Sequence, residues 1–476
     1  MIRHESPLTL PCNLILNFVI STTRLDFPPR MLRPATAAAC TATGAVAGGY
    51  AVHRSSGAAS VRVTMAPDSP LHAVVARSPS LRAYFATPWL PGPHLNTVFA
   101  SVFRRAPASI SFNRSWLALA DGGIVTLDWS CMPRYGQPVV LVLHGLTGGS
   151  HERYVQWLVH TISVRLGLCC AVLNARGCSE TELASPMSFS AAFTDDIRAA
   201  VAAVRAAIGP RTPIFAAGFS LGAGILLKFL AEEGPASDVS AAVALSASYD
   251  YVANSRLFEE WPARVTYNRV LAYHLVTFFR RHRHHFRASA PGPTVDWSTV
   301  RRARTVRDFD EAVIVPLFGY TSSTDYYTDA SVGPRLGQIR VPTLLLNAAD
   351  DPICFTRFLP HEAVLSNPML VSAVTSEGGH VAWSTGWMPT GSSWDNDATA
   401  EWFDAILRVP FAGGSQAAGE SAMIAQPSTA AQPTRIQWEA AESCDFSRSP
   451  LRFTPYPDKT DAVASIQVQV VPSPRL

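Results

Sequence analysis

Residues 218–222 read Gly-Phe-Ser-Leu-Gly, set between the apolar run Pro-Ile-Phe-Ala-Ala and the helical run Leu-Gly-Ala-Gly-Ile-Leu-Leu-Lys-Phe-Leu-Ala-Glu-Glu. A strand that becomes a helix within so few residues must pass its backbone close to neighbouring chains. Small residues at 218 and 222 permit that approach, while the hydroxyl of Ser220 is pushed outward. The same five-residue pattern also occurs as an ordinary turn. Its place between a strand and a helix makes Ser220 a candidate nucleophile.

The surrounding pattern agrees with a sheet crossed by helices. Apolar runs at 139–143, 170–173, 214–217, 241–245, 343–346 and 370–374 read as buried parallel strands, because their near-continuous apolar content suits a sheet covered on both faces. Residues 116–119 and 124–129, joined at Asp121-Gly122-Gly123, predict an antiparallel hairpin. Helical periods fall at 191–207, 221–233, 264–287 and 398–407. The class is α/β: a mostly parallel sheet with helices on both faces and a helical cap insertion at about 251–304. The insert carries Phe258, Trp261, Tyr267, Leu271, Leu275, Phe278 and Phe279 at mostly helical spacing. Such a stripe is ordinarily core; above the elbow, part of it could also form an acyl-binding wall.

Composition excludes other classes. Hydrophobic residues make up 48% of the 476 and charged residues 16%, enough apolar material for a large core and too much for disorder throughout. A net charge of +3 gives no polyelectrolyte field, so no nucleic-acid partner is expected. The cysteines are scattered without Cys-x-x-Cys or Cys/His zinc spacing, which predicts neither a disulfide framework nor a metal, and reduced thiols as the ordinary state. His282, His284 and His285 cluster without carboxylate or thiolate company and read as a solvated helix end.

A serine nucleophile needs a base to take its proton and an acid to orient that base. Downstream of Ser220, the run Val-Pro-Thr-Leu-Leu-Leu-Asn-Ala ends at Asp350-Asp351-Pro352, and Glu377-Gly378-Gly379-His380 follows the run Met-Leu-Val-Ser-Ala-Val. Ser, Asp, His is the chain order this architecture uses. Asp351 is the expected acid, since Pro352 behind it fixes an extended turn, and Asp350 is expected to cap the loop. His380 is the expected base. The segment His144-Gly145-Leu146-Thr147-Gly148-Gly149 follows a strand where a second oxyanion donor belongs, so the backbone N–H groups of Leu146 and Leu221 are the expected pair. His144 itself reads as a buried structural hydrogen-bonder.

The termini differ from the middle. Residues 6–23 and 35–52 are uncharged stretches flanked by arginines, each short for a bilayer span and only weakly apolar. A signal anchor, a cleaved transit peptide and an unstructured leader all fit. Residues 1–80 are therefore set aside as leader or anchor, 81–410 as the catalytic domain, and 411–476 as a mostly disordered tail with a short strand at 465–471.

Beyond the elbow, the chain resembles the AB hydrolase 4 family over about residues 84–407. The resemblance rests on Pro88-Trp89-Leu90 with Asn96-Thr97, His-Gly-Leu-Thr-Gly-Gly-Ser at 144, Asn174-Ala175-Arg176-Gly177-Cys178 and Gly-Phe-Ser-Leu-Gly-Ala at 218. Further matches are Val-Arg-Asp-Phe-Asp-Glu-Ala at 306, Phe318-Gly319-Tyr320, Asp325-Tyr326-Tyr327, Asn-Ala-Ala-Asp-Asp-Pro at 347 and Glu-Gly-Gly-His at 377. Asn96 departs from the family's usual glutamine. The resemblance implies an α/β-hydrolase fold and a serine esterase or lipase without cofactor or metal. It implies lipid or medium-chain acyl esters as substrates and Ser220, Asp351 and His380 as the catalytic set. It also implies membrane association through an N-terminal anchor, by likeness in the endoplasmic reticulum; mitochondrial or cytoplasmic placement are the alternatives. Two rival functions stay open: an acyltransferase that resolves the same acyl-serine with an alcohol, and a non-catalytic membrane-surface protein of the same fold.

Overall fold

The computed structural model describes residues 59–108, 110–286, 295–409 and 470–472. Its strands are β1 (Val61–Met65), β2 (Asn113–Ala118), β3 (Ile124–Trp129), β4 (Val139–Leu143), β5 (Cys169–Asn174), β6 (Ile214–Phe219), β7 (Val239–Leu245), β8 (Thr343–Ala348), β9 (Leu370–Thr375) and β10 (Val470–Pro472). They form one sheet in the order β1-β9-β8-β7-β6-β4-β5-β3-β2-β10. Strands β4 to β9 run parallel, and the outer strands are antiparallel.

Every residue of β4, β5, β6, β8 and β9 is buried, the result their continuous apolar runs predict for a sheet covered on both faces. One face packs on α3 (Asp195–Ile208) and α4 (Leu221–Glu233), with Leu141, Ile197, Leu226 and Phe229 in its core. The other packs on α2 (Arg153–Leu166) and α9 (Trp394–Arg408), with Phe215 stacked on Phe403. Ahead of β2 lies α1 (Pro93–Phe103). Between β7 and β8 the cap contributes α5 (Tyr251–Phe258), α6 (Tyr267–His282), α7 (Val306–Ala312) and α8 (Ser323–Ala330), which share a third cluster built on Phe278, Phe279, Phe309 and Tyr326.

Several boundaries differ from the sequence reading. The helix expected at 191–207 begins at Asp195, where Asp195 and Asp196 supply the acidic first turn, and the one expected at 264–287 runs only over Tyr267–His282. The inserted cap continues past residue 304, because Thr305 and Asp308 form a capping box that restarts the helix at Val306. The sheet also starts before residue 81: β1 pairs antiparallel with β9, Val61 opposite Thr375. Of the tail, Val470–Pro472 pairs with β2, overlapping the short strand expected at 465–471. Both apolar N-terminal stretches lie outside the described residues; among those described, no helix is long and apolar enough to cross a membrane.

Candidate active site

The strand β6 ends at Phe219 and α4 begins at Leu221, so Ser220 alone makes the turn, at φ 52° and ψ −115°. That backbone is strained for a residue with a side chain. It is tolerated because its neighbours are small. A Cβ on Gly218 would lie 2.6 Å from the Gly222 carbonyl oxygen, and one on Gly222 would lie 2.5 Å from the His144 carbonyl oxygen. The Ser220 N–H donates to the Leu245 carbonyl at 2.8 Å, fixing the elbow to β7.

Strands β8 and β9 deliver the other two groups. Asp351 is buried just beyond β8, and its Oδ1 accepts the N–H groups of Ile353 and Cys354 at 2.8 and 2.9 Å. His380 Nδ1 lies 2.8 Å from Asp351 Oδ2, and His380 Nε2 lies 2.9 Å from Ser220 Oγ. These partners fix the tautomer: Nδ1–H donates to the carboxylate, which leaves Nε2 to accept the serine proton. Burial disfavours an imidazolium here, yet the Asp351 carboxylate outweighs it and raises the His380 pKa above the ordinary histidine value. Asp350 points elsewhere, its Oδ1 accepting the Gly379 N–H at 2.9 Å.

The histidine loop is bent through Gly379, Val381 and Trp383, all at positive φ. Side chains from distant elements hold it. Thr97 Oγ1, on α1, accepts the His380 N–H at 2.9 Å, and Ser246 Oγ, just after β7, accepts the Val381 N–H at 3.2 Å. Neither was assigned a role from sequence. Asn96-Thr97 stood among the family motifs, but nothing in a helical dipeptide announces which loop it will meet.

His144 closes the loop after β4. Its Nε2 accepts the Ala175 N–H at 3.1 Å, so Nδ1 carries the proton and donates to the Gly145 carbonyl at 2.7 Å. The Gly148 N–H reaches the same carbonyl at 3.1 Å. In a trans peptide the N–H opposes the C=O, so pinning this carbonyl aims the Leu146 N–H the other way. Burial lowers the His144 pKa, which favours the neutral tautomer that this geometry requires. Tyr154 Oη accepts the Gly145 N–H at 2.9 Å, a support that sequence reading did not single out.

Above Ser220 opens a cavity lined in part by Leu146, Leu221, Phe258, Leu271, Leu275 and Phe278. Of the cap residues expected as an acyl wall, these last four face it. Trp261 is instead 82% exposed, Tyr267 stacks on His94, and Phe279 packs among Phe286, Trp297 and Phe309. The cavity also reaches Cys354 and buried Asp310, whose carboxyl accepts the Tyr327 hydroxyl at 2.7 Å. Burial pushes the Asp310 pKa up to about 7 against the pull of that hydrogen bond. Of the histidine cluster, His282 bonds the Gly177 carbonyl at 3.1 Å and the His284 and His285 rings sit 4.0 Å apart. Among the described residues, no group of side chains could hold a metal ion.

A mostly parallel sheet, a sharp serine turn and a helical cap over an apolar cavity define the α/β-hydrolase class. A family model described as the alpha/beta hydrolase fold matches residues 138–357. The chain is 31% identical over 331 residues to human phospholipase ABHD3, covering 68% of this chain and 79% of that protein. Embryogenesis-associated protein EMB8 of Picea glauca is 32% identical over 340 residues, covering 68% and 73%. A monoacylglycerol lipase of Saccharomyces cerevisiae is 34% identical over 248 residues, covering 52% and 55%. The chain belongs to the AB hydrolase superfamily, in the AB hydrolase 4 family, and is an ester hydrolase.

Proposed function

We propose that this enzyme cleaves lipid acyl esters through an acyl-serine intermediate, with Ser220 as nucleophile, His380 as base and Asp351 as the acid that orients it. The observation that carries the reading is the continuous hydrogen-bonded chain from Asp351 through His380 to Ser220 Oγ at the floor of an apolar cavity. Oγ attacks the ester carbonyl while its proton passes to His380 Nε2. The resulting oxyanion meets the N–H groups of Leu146 and Leu221. His380 then returns its proton to the departing alcohol, and a water activated the same way releases the fatty acid. The wall of Phe258, Leu271, Leu275 and Phe278 suits an alkyl chain, and the printed names of the relatives, phospholipase and monoacylglycerol lipase, point to lipid esters.

The test is a panel of phospholipids, monoacylglycerols and soluble esters of graded chain length, with wild type beside Ser220→Ala and with ethanol present in parallel. Release of free fatty acid by wild type alone supports the reading. Accumulation of fatty acid ethyl ester in its place would make the enzyme an acyltransferase. Equal turnover by Ser220→Ala would overturn the assignment.

A further inference from the structure

The sheet end opposite the elbow holds two cysteines that the catalytic chemistry does not use. Strand β3 pairs antiparallel with β5 from Thr126 opposite Asn174 to Trp129 opposite Ala171. Past that ladder the chain bends at Ser130 and Cys131, beside Cys170 and Cys169 at the start of β5. The Ser130 N–H donates to the Cys170 carbonyl at 2.9 Å, and the Cys170 N–H reaches Ser130 Oγ at 2.9 Å. One backbone bond thus joins residues 130 and 170, and the Ser130 hydroxyl takes the place of the second. A disulfide spans Cα separations of about 4.4–6.8 Å, the range that facing residues of an antiparallel pair occupy.

The side chains follow the backbone. The Cys169 thiol donates to the Cys131 carbonyl at 3.0 Å and is within hydrogen-bonding reach of the Cys131 sulfur. Cys169 is buried beside Trp129 and Leu141, whereas Cys131 is exposed. Cys170 alternates to the opposite face, among Val140 and Val172, and cannot meet Cys131. The hydrogen bond from Cys169 and the Arg134 charge lower the Cys131 thiol pKa against partial burial, the direction that makes Cys131 the attacking sulfur of the two.

We propose that Cys131 and Cys169 are a thiol pair that closes reversibly to a disulfide by exchange with a small-molecule disulfide of the glutathione type. The Cys131 thiolate attacks one sulfur of the oxidised tripeptide, expels one glutathione thiolate and forms a mixed disulfide. Cys169, giving its proton to solvent, then attacks the Cys131 sulfur and expels the second glutathione thiolate. The protein loses two electrons and two protons; one glutathione disulfide becomes two glutathione thiols. The bond would join the β2–β3 hairpin to the parallel body of the sheet. Because Cys169 opens β5 while the elbow closes β6, which runs the same way, closure should change stability and leave turnover alone.

The test equilibrates the reduced full-length protein in glutathione buffers from reducing to oxidising, alkylates the remaining thiols, and maps unreduced peptides by mass spectrometry. A Cys131–Cys169 linked peptide should appear in oxidising buffer and vanish in reducing buffer. Cys169→Ser should instead retain glutathione on Cys131, and Cys131→Ser should acquire neither the link nor that adduct. Oxidised wild type should melt a few degrees higher than reduced wild type and hydrolyse a short soluble ester at the same rate. Glutathione persisting on wild-type Cys131, a link to a different cysteine, or both thiols free in the most oxidising buffer would overturn the proposal.

Discussion

Asp350 and Asp351 are neighbours whose carboxylates touch different things, and their substitution separates orientation of the base from support of its loop. Asp351→Asn removes the charge facing His380 Nδ1 and favours the wrong imidazole tautomer, a change that lowers turnover by about four orders of magnitude in the best-measured serine hydrolase. Asp350→Asn keeps an oxygen able to accept the Gly379 N–H, so its loss should be about tenfold or less. Steady-state kinetics of the two variants check the ranking; the reverse order would move the acid to Asp350. The raised His380 pKa has a sign that can be measured. Only the neutral imidazole accepts the serine proton, so kcat/KM should rise with pH through a midpoint above the ordinary histidine value, and Asp351→Asn should move that midpoint down. At this scale the Ser, Asp and His positions were legible, since each follows an apolar strand in a fixed order. Thr97 and Ser246 were not, because their partners lie far away in sequence and a hydroxyl's acceptor is set by tertiary packing.

Among the elements, the buried strands were readable because uninterrupted apolar runs have few alternatives. α2 was not: Val155, Val159, Thr161, Ile162 and Val164 are poor intrinsic helix formers, and the helix exists because one face buries Val155, Leu158, Val159 and Ile162 against the sheet. β1 was missed for a related reason, being a five-residue strand of four half-buried residues and exposed Arg62 whose partner β9 comes some 300 positions later. The cap carries its own titration. Asp310 on α7 has a folded pKa of about 7 against an ordinary value of 3.8, so the folded state binds this proton more tightly than the unfolded chain. Its contribution to stability is therefore full below the ordinary carboxylate range and is lost as pH rises through about 7. Wild type should lose up to a few kcal/mol over that window relative to Asp310→Asn, which can still accept the Tyr327 hydroxyl. Thermal melts of both proteins from acid to neutral pH test this, and parallel curves would remove Asp310 from the account.

For the whole molecule, the position of β1 decides where the folded part can be cut. A fragment beginning at Leu81 lacks β1 and leaves the β9 edge unpaired, an open template for association. It should melt lower and aggregate sooner than one beginning just ahead of Ala59. The longer fragment should hydrolyse short soluble esters as the full chain does. The arginine-flanked N-terminal stretches lie outside both fragments, and we expect them to carry the full chain into membranes. Alkaline carbonate extraction tests that: full chain retained in the pellet with the longer fragment in the supernatant supports an anchor, while full chain in the supernatant excludes a span and favours a cleaved leader.

The central claim is that Ser220 is an activated nucleophile. The most direct measurement treats native full-length protein with a fluorophosphonate and maps the adduct by peptide mass spectrometry. One adduct per chain on the peptide holding Ser220 is expected, with loss of ester hydrolysis in proportion to labelling and no adduct on Ser220→Ala. Full labelling at another residue, or hydrolysis that survives complete modification of Ser220, would contradict the account.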